Sequence, residues 1–173
     1  MLASAGVAWP GMTLTSKDSL DMDRFEQVMK INVSGSAYAA KYGAVAMSKN
    51  KPVNDRGEKG VIIFVSSVAA EEAQRGQVAY GASKGAINGM VMPMARDLGR
   101  FGIRVAAIAP GIFQTPLAGH MSEKVTSRLN ADTPLGRPGQ PDEFAHFACA
   151  IVENGYINGV SLRVDGAIKM SNL

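Results

Sequence analysis

The stretch Gly60-Val61-Ile62-Ile63-Phe64-Val65 decides the fold class of this sequence. It is a short, continuous apolar run after the polar stretch 50–59, and such runs are typical of strands buried on both faces. A second run, Ile103-Arg104-Val105-Ala106-Ala107-Ile108, is closed by Pro110-Gly111, and Val160-Ser161-Leu162-Arg163-Val164 follows near the end of the chain. These strands predict a parallel sheet.

Helical patterns lie between the strands. Residues 21–49 place apolar side chains at helical spacing after a possible cap at Asp21, which predicts one long or broken helix with Asn32 in its middle. The pattern over residues 78–98 predicts a second helix, and Pro141 marks the start of a third. Because strands and helices alternate, we expect one α/β domain over residues 1–173, with right-handed crossovers.

Glycine recurs every fourth residue on the helix predicted over 78–98, at Gly81, Gly85 and Gly89. Glycine lacks a Cβ atom, so this spacing lets another backbone approach that face of the helix closely. In a membrane such a stripe would mark a helix dimer, whereas here it predicts tight packing within a soluble domain.

Composition narrows the class of protein. The 18 basic and 15 acidic residues give a net charge of +3 and are scattered, so charge alone implies no nucleic-acid partner. Cys149 is the only cysteine, which excludes a disulfide framework and a paired-thiol zinc site and fits a reducing compartment. No signal peptide or membrane span is recognisable, and neither His120 nor His146 has a ligand cluster around it. We expect a soluble intracellular protein without a metal.

Tyr80 and Lys84 carry the chemistry that the sequence suggests. They stand at i and i+4 of a predicted helix, so both side chains leave the same face. A nearby ammonium stabilises phenolate and lowers a tyrosine pKa from about 10 toward the range useful for proton transfer. Ser67 follows the first strand and the stretch 110–115 follows the second, and active sites of open α/β sheets lie at the carboxyl ends of strands.

Taken in order, these residues resemble a known family. Asn32, Ser66-Ser67-Val68-Ala69, Tyr80-Gly81-Ala82-Ser83-Lys84, Pro110-Gly111 and Thr115 look like the signature of short-chain dehydrogenases/reductases. The resemblance runs from about residue 5 to the C-terminus and implies a Rossmann-like, doubly wound parallel sheet. Within the family the chain is most similar to the type II 3-hydroxyacyl-CoA dehydrogenases. The features that carry this finer likeness are the polar insert 50–59, Gln74, Gln77 and the ending from Asn158 to Ile168.

The resemblance also implies roles for these residues. Tyr80 would exchange the proton of the substrate oxygen, Lys84 would lower the pKa of Tyr80 and hold the nicotinamide ribose of NAD, and Ser67 would bind the substrate oxygen. Asn32 would anchor a water relay. Gln74 and Gln77 would border the substrate. The remaining cofactor contacts would come from Ala5, Gly6, Pro110, Gly111, Ile112, Phe113 and Thr115.

The sequence departs from the family at its beginning. The glycine-rich turn Thr-Gly-x-x-x-Gly-x-Gly, which holds the pyrophosphate, does not occur in it. Of the family motif Asn-x-Ala-Gly only Ala5-Gly6 is present, and Ala3 occupies the Asn position. We therefore expect an N-terminally truncated chain that carries the C-terminal portion of the fold, without the first strands and the residue that selects NAD or NADP.

The first functional hypothesis is an oxidoreductase that moves a hydride between NAD and a secondary alcohol, converting 3-hydroxyacyl-CoA to 3-oxoacyl-CoA. Gln74, Gln77 and a mobile-looking loop over 117–135 favour an acyl-thioester. By the same resemblance we expect a homo-oligomer, a dimer or tetramer, located in mitochondria if the source is eukaryotic. The alternatives are an inactive truncated form and a non-catalytic scaffold in RNA processing, for which the insert offers a small basic cluster. That cluster consists of Lys49, Lys51, Arg56 and Lys59.

Overall fold

A computed structural model describes residues 1–115 and 123–170 of the chain. In this part of the chain, four parallel strands form one sheet in the order β1-β2-β3-β4. The strands are β1 (Leu2–Ala3), β2 (Gly60–Val65), β3 (Ile103–Pro110) and β4 (Val160–Val164). The three strands predicted from apolar runs and the parallel sheet are thus confirmed, as is the Rossmann-like α/β class.

Six α-helices connect or cover these strands in the described residues. They are α1 (Met22–Met29), α2 (Gly35–Ser48), α3 (Ala69–Glu72), α4 (Val78–Gly99), α5 (Glu123–Asp132) and α6 (Pro141–Glu153). None of the helices within these residues is long and apolar enough to cross a membrane.

The helix predicted over 21–49 is broken at its middle. The Asp21 carboxylate accepts a hydrogen bond from the Arg24 amide at 3.1 Å and so caps α1, as expected. Between α1 and α2 the residues Lys30–Ser34 adopt a π-helical turn. This widened turn contains Asn32, a residue that is 1% exposed. Single π turns inside α-helices occur frequently at functional sites.

The core lies on both faces of the sheet because β2 and β3 are buried strands whose side chains alternate between the two faces. On one face, α2 and α4 pack on a cluster that includes Ile62, Phe64 and Val105. On the other face, Ile63 and Ile108 belong to a cluster in which Phe144, Phe147 and Ile151 of α6 take part. Burying large apolar side chains of this kind stabilises a fold by about 1.5–3 kcal/mol each.

The glycine stripe on α4 packs closely at one position. A Cβ atom on Gly81 would lie 2.7 Å from the Ala73 Cβ and 3.1 Å from the Ala69 carbonyl oxygen, so α3 requires glycine there. At Gly85 the nearest atom would be at an ordinary 3.7 Å, and at Gly89 no atom of the described residues would lie within 4 Å. The prediction of close approach is confirmed for Gly81, and it stays a prediction for Gly89.

The loop expected over 117–135 is partly helical. Residues Glu123–Asp132 form α5, so the expectation of a loop is wrong there, while residues 116–122, which include Leu117 and His120, lie outside the described residues. Burial of Leu129, which is 2% exposed, anchors the helix, and the Thr133 hydroxyl closes its last turn by donating to the Leu129 carbonyl at 2.8 Å. One buried apolar residue in a polar sequence leaves little periodicity to detect.

A buried arginine closes the amino end of the sheet, which the apolar pattern of β3 did not reveal. The guanidinium of Arg104 donates to the Glu58 carboxylate at 2.6 Å. It also donates to the carbonyls of Ile151, Val152 and Ile157, each at 2.9 Å. Arg104 therefore ties the polar insert to the last turn of α6, where carbonyl groups lack helical partners. Hydrogen bonding to Arg104 is the main reason that the pKa of Glu58 lies below its ordinary value.

Candidate active site

The residues that follow β2 and β3 meet at the carboxyl edge of the sheet. The Ser66 amide donates to the Ile108 carbonyl at 2.8 Å, and the Val68 amide donates to the Pro110 carbonyl at 3.1 Å. These bonds continue the pairing of the two strands past the end of β2, so Ser67 lies at the same edge as the Pro110-Gly111 turn. Parallel strands deliver their following residues to one edge for this reason.

Tyr80 and Lys84 lie one turn apart on α4 and face this edge. The Lys84 ammonium nitrogen is 5.5 Å from the centre of the Tyr80 ring. It donates to the Val65 carbonyl, the last of β2, at 2.8 Å. The Ser66 hydroxyl donates to the Lys84 carbonyl at 3.2 Å, which binds α4 to the end of β2. The structure thus brings Ser67, Tyr80 and Lys84 together.

Burial dominates the electrostatics of this group. It raises the pKa of Tyr80 above 10, and a hydrogen bond with Ser67 partly offsets the rise. Burial also lowers the pKa of Lys84 to about 8. The ammonium lies beside the Tyr80 ring, and it is not among the causes of the shift in the pKa of Tyr80. The lowering of the pKa of Tyr80 by Lys84 stays a prediction, because burial raises that pKa overall in this structure.

Lys84 is suited to hold a hydroxyl-bearing ligand. The residue is 6% exposed, and an ammonium carries three donors. Among the described residues, the Val65 carbonyl is its one hydrogen-bond acceptor, and no carboxylate forms an ion pair with it. A buried cation with donors to spare fits the ribose hydroxyls of a nicotinamide cofactor, which are acceptors.

The side chain of Asn32, in the π-helical turn, forms hydrogen bonds with the stretch after β1 and with α4. Its side-chain oxygen accepts from the Val7 amide at 2.8 Å, and its amide nitrogen donates to the Val7 carbonyl at 2.9 Å. The same nitrogen donates to the Ser83 hydroxyl at 3.0 Å, and Ser83 in turn donates to the Tyr80 carbonyl at 2.7 Å. Asn32 therefore fixes the stretch after β1 against α4, while its part in a water relay stays a prediction.

Ser83 is a site residue that sequence reasoning missed. It is fully buried and connects Asn32 to the backbone of Tyr80. Serine inside a helical pattern was the available signal, because a buried hydroxyl needs a partner.

Gly6 lies next to Asn32 and Lys84. A Cβ atom on Gly6 would be 3.3 Å from the Asn32 side-chain oxygen and 3.6 Å from the Lys84 ammonium nitrogen. Ala5 precedes it and is exposed. The stretch after β1 therefore borders Lys84, and the cofactor roles of Ala5 and Gly6 remain predictions.

The glutamines form a turn ahead of Tyr80. The Gln77 side-chain oxygen accepts from the Gln74 amide at 3.0 Å, and both residues are half-buried. Gln77 thus orders the chain just before α4, and its side-chain oxygen is occupied by the bond from Gln74. Their contact with substrate stays a prediction.

The stretch 110–115 turns away from β3 along β4. The Gly111 amide donates to the Val164 carbonyl at 3.0 Å, and Thr115 is exposed. The Phe113 ring lies edge-on to Phe144, with 5.9 Å between ring centres. A cavity of about 120 Å³ lies against Ile112 and Phe113, but Tyr80 and Lys84 do not line it. The cofactor contacts proposed for this stretch stay predictions.

No group of three or more His, Cys, Asp or Glu side chains is placed to hold a metal ion in residues 1–115 and 123–170. His146 lies on α6 and is exposed.

Comparisons with known proteins extend these observations. The sequence model of a family described as Enoyl-(Acyl carrier protein) reductase matches residues 1–168. The chain is 44% identical over 169 residues to human 3-hydroxyacyl-CoA dehydrogenase type-2, covering 96% of this chain and 64% of that protein. It is 32% identical over 148 residues to rat (3R)-3-hydroxyacyl-CoA dehydrogenase, covering 84% of this chain and 55% of that protein. The chain thus spans less than two thirds of the length of these relatives.

Two solved structures are similar to the fold. A 3-hydroxyacyl-CoA dehydrogenase type-2 from Mycobacterium avium matches with a TM-score of 0.91 and 32% identity, covering 99% of this chain and 68% of that one. A 7α-hydroxysteroid dehydrogenase complexed with NADH and 7-oxo glycochenodeoxycholic acid matches with a TM-score of 0.84 and 28% identity. It covers 99% of this chain and 64% of that one.

Proposed function

Because the chain belongs to the short-chain dehydrogenase/reductase family, we propose that the protein is an NAD-dependent oxidoreductase that converts a 3-hydroxyacyl-CoA to a 3-oxoacyl-CoA. The expected likeness to the type II 3-hydroxyacyl-CoA dehydrogenases is confirmed by 44% identity over 169 residues. The observation that carries the proposal is the grouping of Ser67, Tyr80 and Lys84 at the carboxyl edge of the sheet.

Tyr80 is the proposed acid and base. In the oxidation direction its phenolate oxygen accepts the proton of the substrate hydroxyl, and in the reduction direction its phenol returns that proton to the carbonyl oxygen. The raised pKa favours the phenol form in the protein without cofactor. Nicotinamide, when bound, supplies the hydride acceptor or donor, and the protein supplies orientation and proton handling.

Ser67 and Lys84 support that proton transfer. The Ser67 hydroxyl, which lowers the pKa of Tyr80 by hydrogen bonding, lies where it can also bind the substrate oxygen. Lys84 has donors available for the ribose, and its charge would stabilise the Tyr80 phenolate across the 5.5 Å that separates the ammonium from the ring centre. Ser67 and Lys84 thus both act next to the Tyr80 phenol.

The choice of an acyl-CoA substrate and of NAD rests on relatives. Proteins named 3-hydroxyacyl-CoA dehydrogenase occur among similar sequences and similar structures. A structural neighbour was solved with NADH. Gln74 and Gln77, which form the turn before α4, are the proposed border of the acyl-thioester site.

The first assay is reduction of acetoacetyl-CoA by the holoenzyme, followed through loss of NADH absorbance. We expect kcat/KM for acetoacetyl-CoA to exceed that for a simple steroid ketone or a sugar, and NADH to be used in preference to NADPH. A steroid or sugar preferred by a wide margin would overturn the acyl-CoA proposal while leaving the family unchanged. Faster turnover with NADPH would overturn the choice of NAD.

The scaffold alternative gains little support from the insert. The Lys59 ammonium donates to the Ser48 carbonyl at 3.0 Å, and Glu58 in the same insert pairs with Arg104. Lys49, Lys51 and Arg56 remain as an exposed basic group that is smaller than the sequence suggested. Salt-dependent RNA binding that survives Tyr80→Phe would favour the scaffold role.

We expect the protein to form a homo-oligomer. Tyr38, Tyr42 and Val45 lie on one face of α2 at helical spacing and are 60%, 63% and 51% exposed. Exposed apolar side chains grouped in this way are typical of association surfaces. By family resemblance the face would pack against a second copy, and light scattering would measure the number of subunits.

A further inference from the structure

Glu72 ends a very short helix between two proposed substrate contacts. The helix α3 spans four residues, and it follows Ser67 and precedes Gln74 along the chain. A helix of this length is not stable on its own, because few of its backbone groups can pair within it. Contacts with neighbouring elements therefore fix where α3, and with it Ser67, lies.

One of these contacts is with the helix that carries Tyr80. Gly81 lies so close to this segment that a Cβ atom there would be 3.1 Å from the Ala69 carbonyl oxygen of α3 and 2.7 Å from the Cβ of Ala73, the residue after α3. The Ser67 hydroxyl oxygen accepts from the Ala69 amide at 3.1 Å and so depends on the same helix. A small displacement of α3 would therefore change the separation of the Ser67 and Tyr80 hydroxyls.

On its other side α3 is held by the Glu72 carboxylate. Arg163 donates to it at 2.9 Å, the Lys169 ammonium at 2.6 Å and the Met170 amide at 3.2 Å. The Glu72 side chain is 19% exposed, so these bonds are partly shielded from water. One carboxylate thus joins α3 to β4 and to the stretch after β4.

Arg163 extends the same network to the second segment of the site. Its guanidinium donates to the Asp165 carboxylate at 2.7 Å. Asp165 packs against the turn after β3, since a Cβ atom on Gly111 would be 2.8 Å from the Asp165 Cβ. The network of Glu72, Arg163 and Asp165 therefore supports both the Ser67 segment and the Pro110-Gly111 turn.

We infer that Glu72, acting through Arg163, is a positioning residue that holds Ser67 and the Pro110-Gly111 turn at their distances from Tyr80. The inference rests on the proposed function. Glu72 does not contact Tyr80, so its effect reaches the phenol through α3. Glu72→Gln keeps the size of the side chain but replaces one carboxylate oxygen with an amide nitrogen. This nitrogen is a donor and cannot accept the hydrogen bonds that Arg163 and Lys169 donate.

Glu58→Gln is a matched control for Glu72→Gln. Both carboxylates are 19% exposed and pair with an arginine, at 2.6 Å for Glu58 and 2.9 Å for Glu72, but Glu58 lies at the amino end of the sheet. We expect Glu72→Gln to lower kcat of the holoenzyme roughly tenfold, since sub-ångström misplacement of reacting groups is costly. Glu58→Gln should lower the melting temperature and leave kcat near the wild-type value.

A double variant tests whether Glu72 acts through its partner. We expect Glu72→Gln/Arg163→Gln to be no slower than the worse of the two single variants, because both remove the same support. Multiplicative losses in kcat would overturn the inferred route. If Glu72→Gln does not fold, Lys169→Met removes one exposed donor to the same carboxylate, and we expect a smaller decrease in kcat.

Titration of Tyr80 by NMR of the ring carbons gives a readout that does not need turnover. The hydrogen bond with Ser67 lowers the pKa of Tyr80, so Glu72→Gln should shift that pKa upward, whereas Glu58→Gln should not. If the wild-type protein turns over no acyl-CoA but this shift occurs, the proposed function is wrong and the positioning role stands. If kcat and the pKa of Tyr80 are both unchanged in Glu72→Gln, the positioning role is overturned.

Discussion

Two buried cations lie at opposite ends of the same pair of strands. Arg104, in β3 near the amino end, is 7% exposed, and Lys84, beside the carboxyl end of β2, is 6% exposed. Arg104 donates to one carboxylate and three carbonyls. Lys84 donates to one carbonyl among the described residues.

This difference separates a cation that is paired within the fold from a cation for which we propose a role in the reaction. Burying a charge is costly unless partners replace the lost water. Arg104 has those partners and unites the insert, β3 and α6. Lys84 has few, and burial lowers its pKa to about 8 as a result. Perturbed groups of this kind cluster at sites of chemistry, which agrees with the proposed ribose contact.

The largest effect we expect at the carboxyl end is from Tyr80→Phe. Removing the phenol oxygen should lower kcat for acetoacetyl-CoA reduction by about 10²–10⁴-fold, the usual contribution of a positioned acid or base. The melting temperature should change little, because the ring is retained. Steady-state kinetics and thermal unfolding measure the two quantities.

Tyr42→Phe is the matched control for Tyr80→Phe, since Tyr42 is 63% exposed on α2. It should keep wild-type turnover. Near wild-type kcat in Tyr80→Phe would show that another group handles the proton.

Removing Arg104 should destabilise the protein, whereas removing Lys84 should not. Arg104→Leu leaves Glu58 and three carbonyls without their donor, so we expect unfolding free energy to fall by about 3–5 kcal/mol. Lys84→Met replaces an incompletely paired charge with an apolar chain, and stability at pH 7 should be unchanged or higher. Urea unfolding of both variants measures this, and equal losses in the two would remove the distinction.

The pH dependence of stability should isolate Lys84. Its pKa is about 8 in the folded protein, below the ordinary value of 10.5, so the unfolded chain binds more protons between these values and stability rises with pH there. The destabilisation caused by the buried Lys84 ammonium is greatest below pH 8, and it decreases as pH rises toward 10.5. The shift corresponds to about 3 kcal/mol at most.

Unfolding free energies of the wild-type protein and Lys84→Met, measured from pH 7 to pH 10.5, give the contribution of Lys84 as a difference. We expect the unfolding free energy of the wild-type protein to rise relative to that of the variant across this range. Parallel curves would show that the ammonium is better solvated than its burial indicates.

Local patterns were sufficient to predict most elements and the grouping of the site. Apolar runs located β2, β3 and β4, and parallel strands necessarily bring Ser67 and Pro110-Gly111 to one edge. The i, i+4 spacing placed Tyr80 and Lys84 on one face of α4. Each of these inferences needs only the geometry of one element or of neighbouring strands.

The ion pairs at the two ends of the sheet could not be predicted from such local patterns. Glu58 and Arg104 are 46 residues apart, and Glu72 and Arg163 are 91 apart. A charged residue within an apolar strand signals that a partner exists, but its identity depends on how distant segments pack. Helix α5 was missed for a related reason, because its one strongly buried apolar anchor is Leu129.

The smallest effect we predict compares two turns in left-handed backbone conformations. Gly102, before β3, has φ of +70°, whereas the exposed Ala167, after β4, has φ of 64° although it carries a Cβ atom. The Asp165 carboxylate accepts from the Ala167 amide at 2.9 Å and holds this conformation.

Ala167→Gly should raise the unfolding free energy by about 0.5–1 kcal/mol, because relief of about 1–2 kcal/mol of left-handed strain exceeds the entropic cost of glycine, about 0.5–1 kcal/mol. Gly102→Ala is the opposite change at the amino end, where a Cβ atom would strike the Gly57 carbonyl oxygen, and it should destabilise the protein more than Ala167→Gly stabilises it. Urea unfolding resolves both effects. A loss of stability in Ala167→Gly would mean that the strain at this turn is smaller than the flexibility that glycine adds to the unfolded chain.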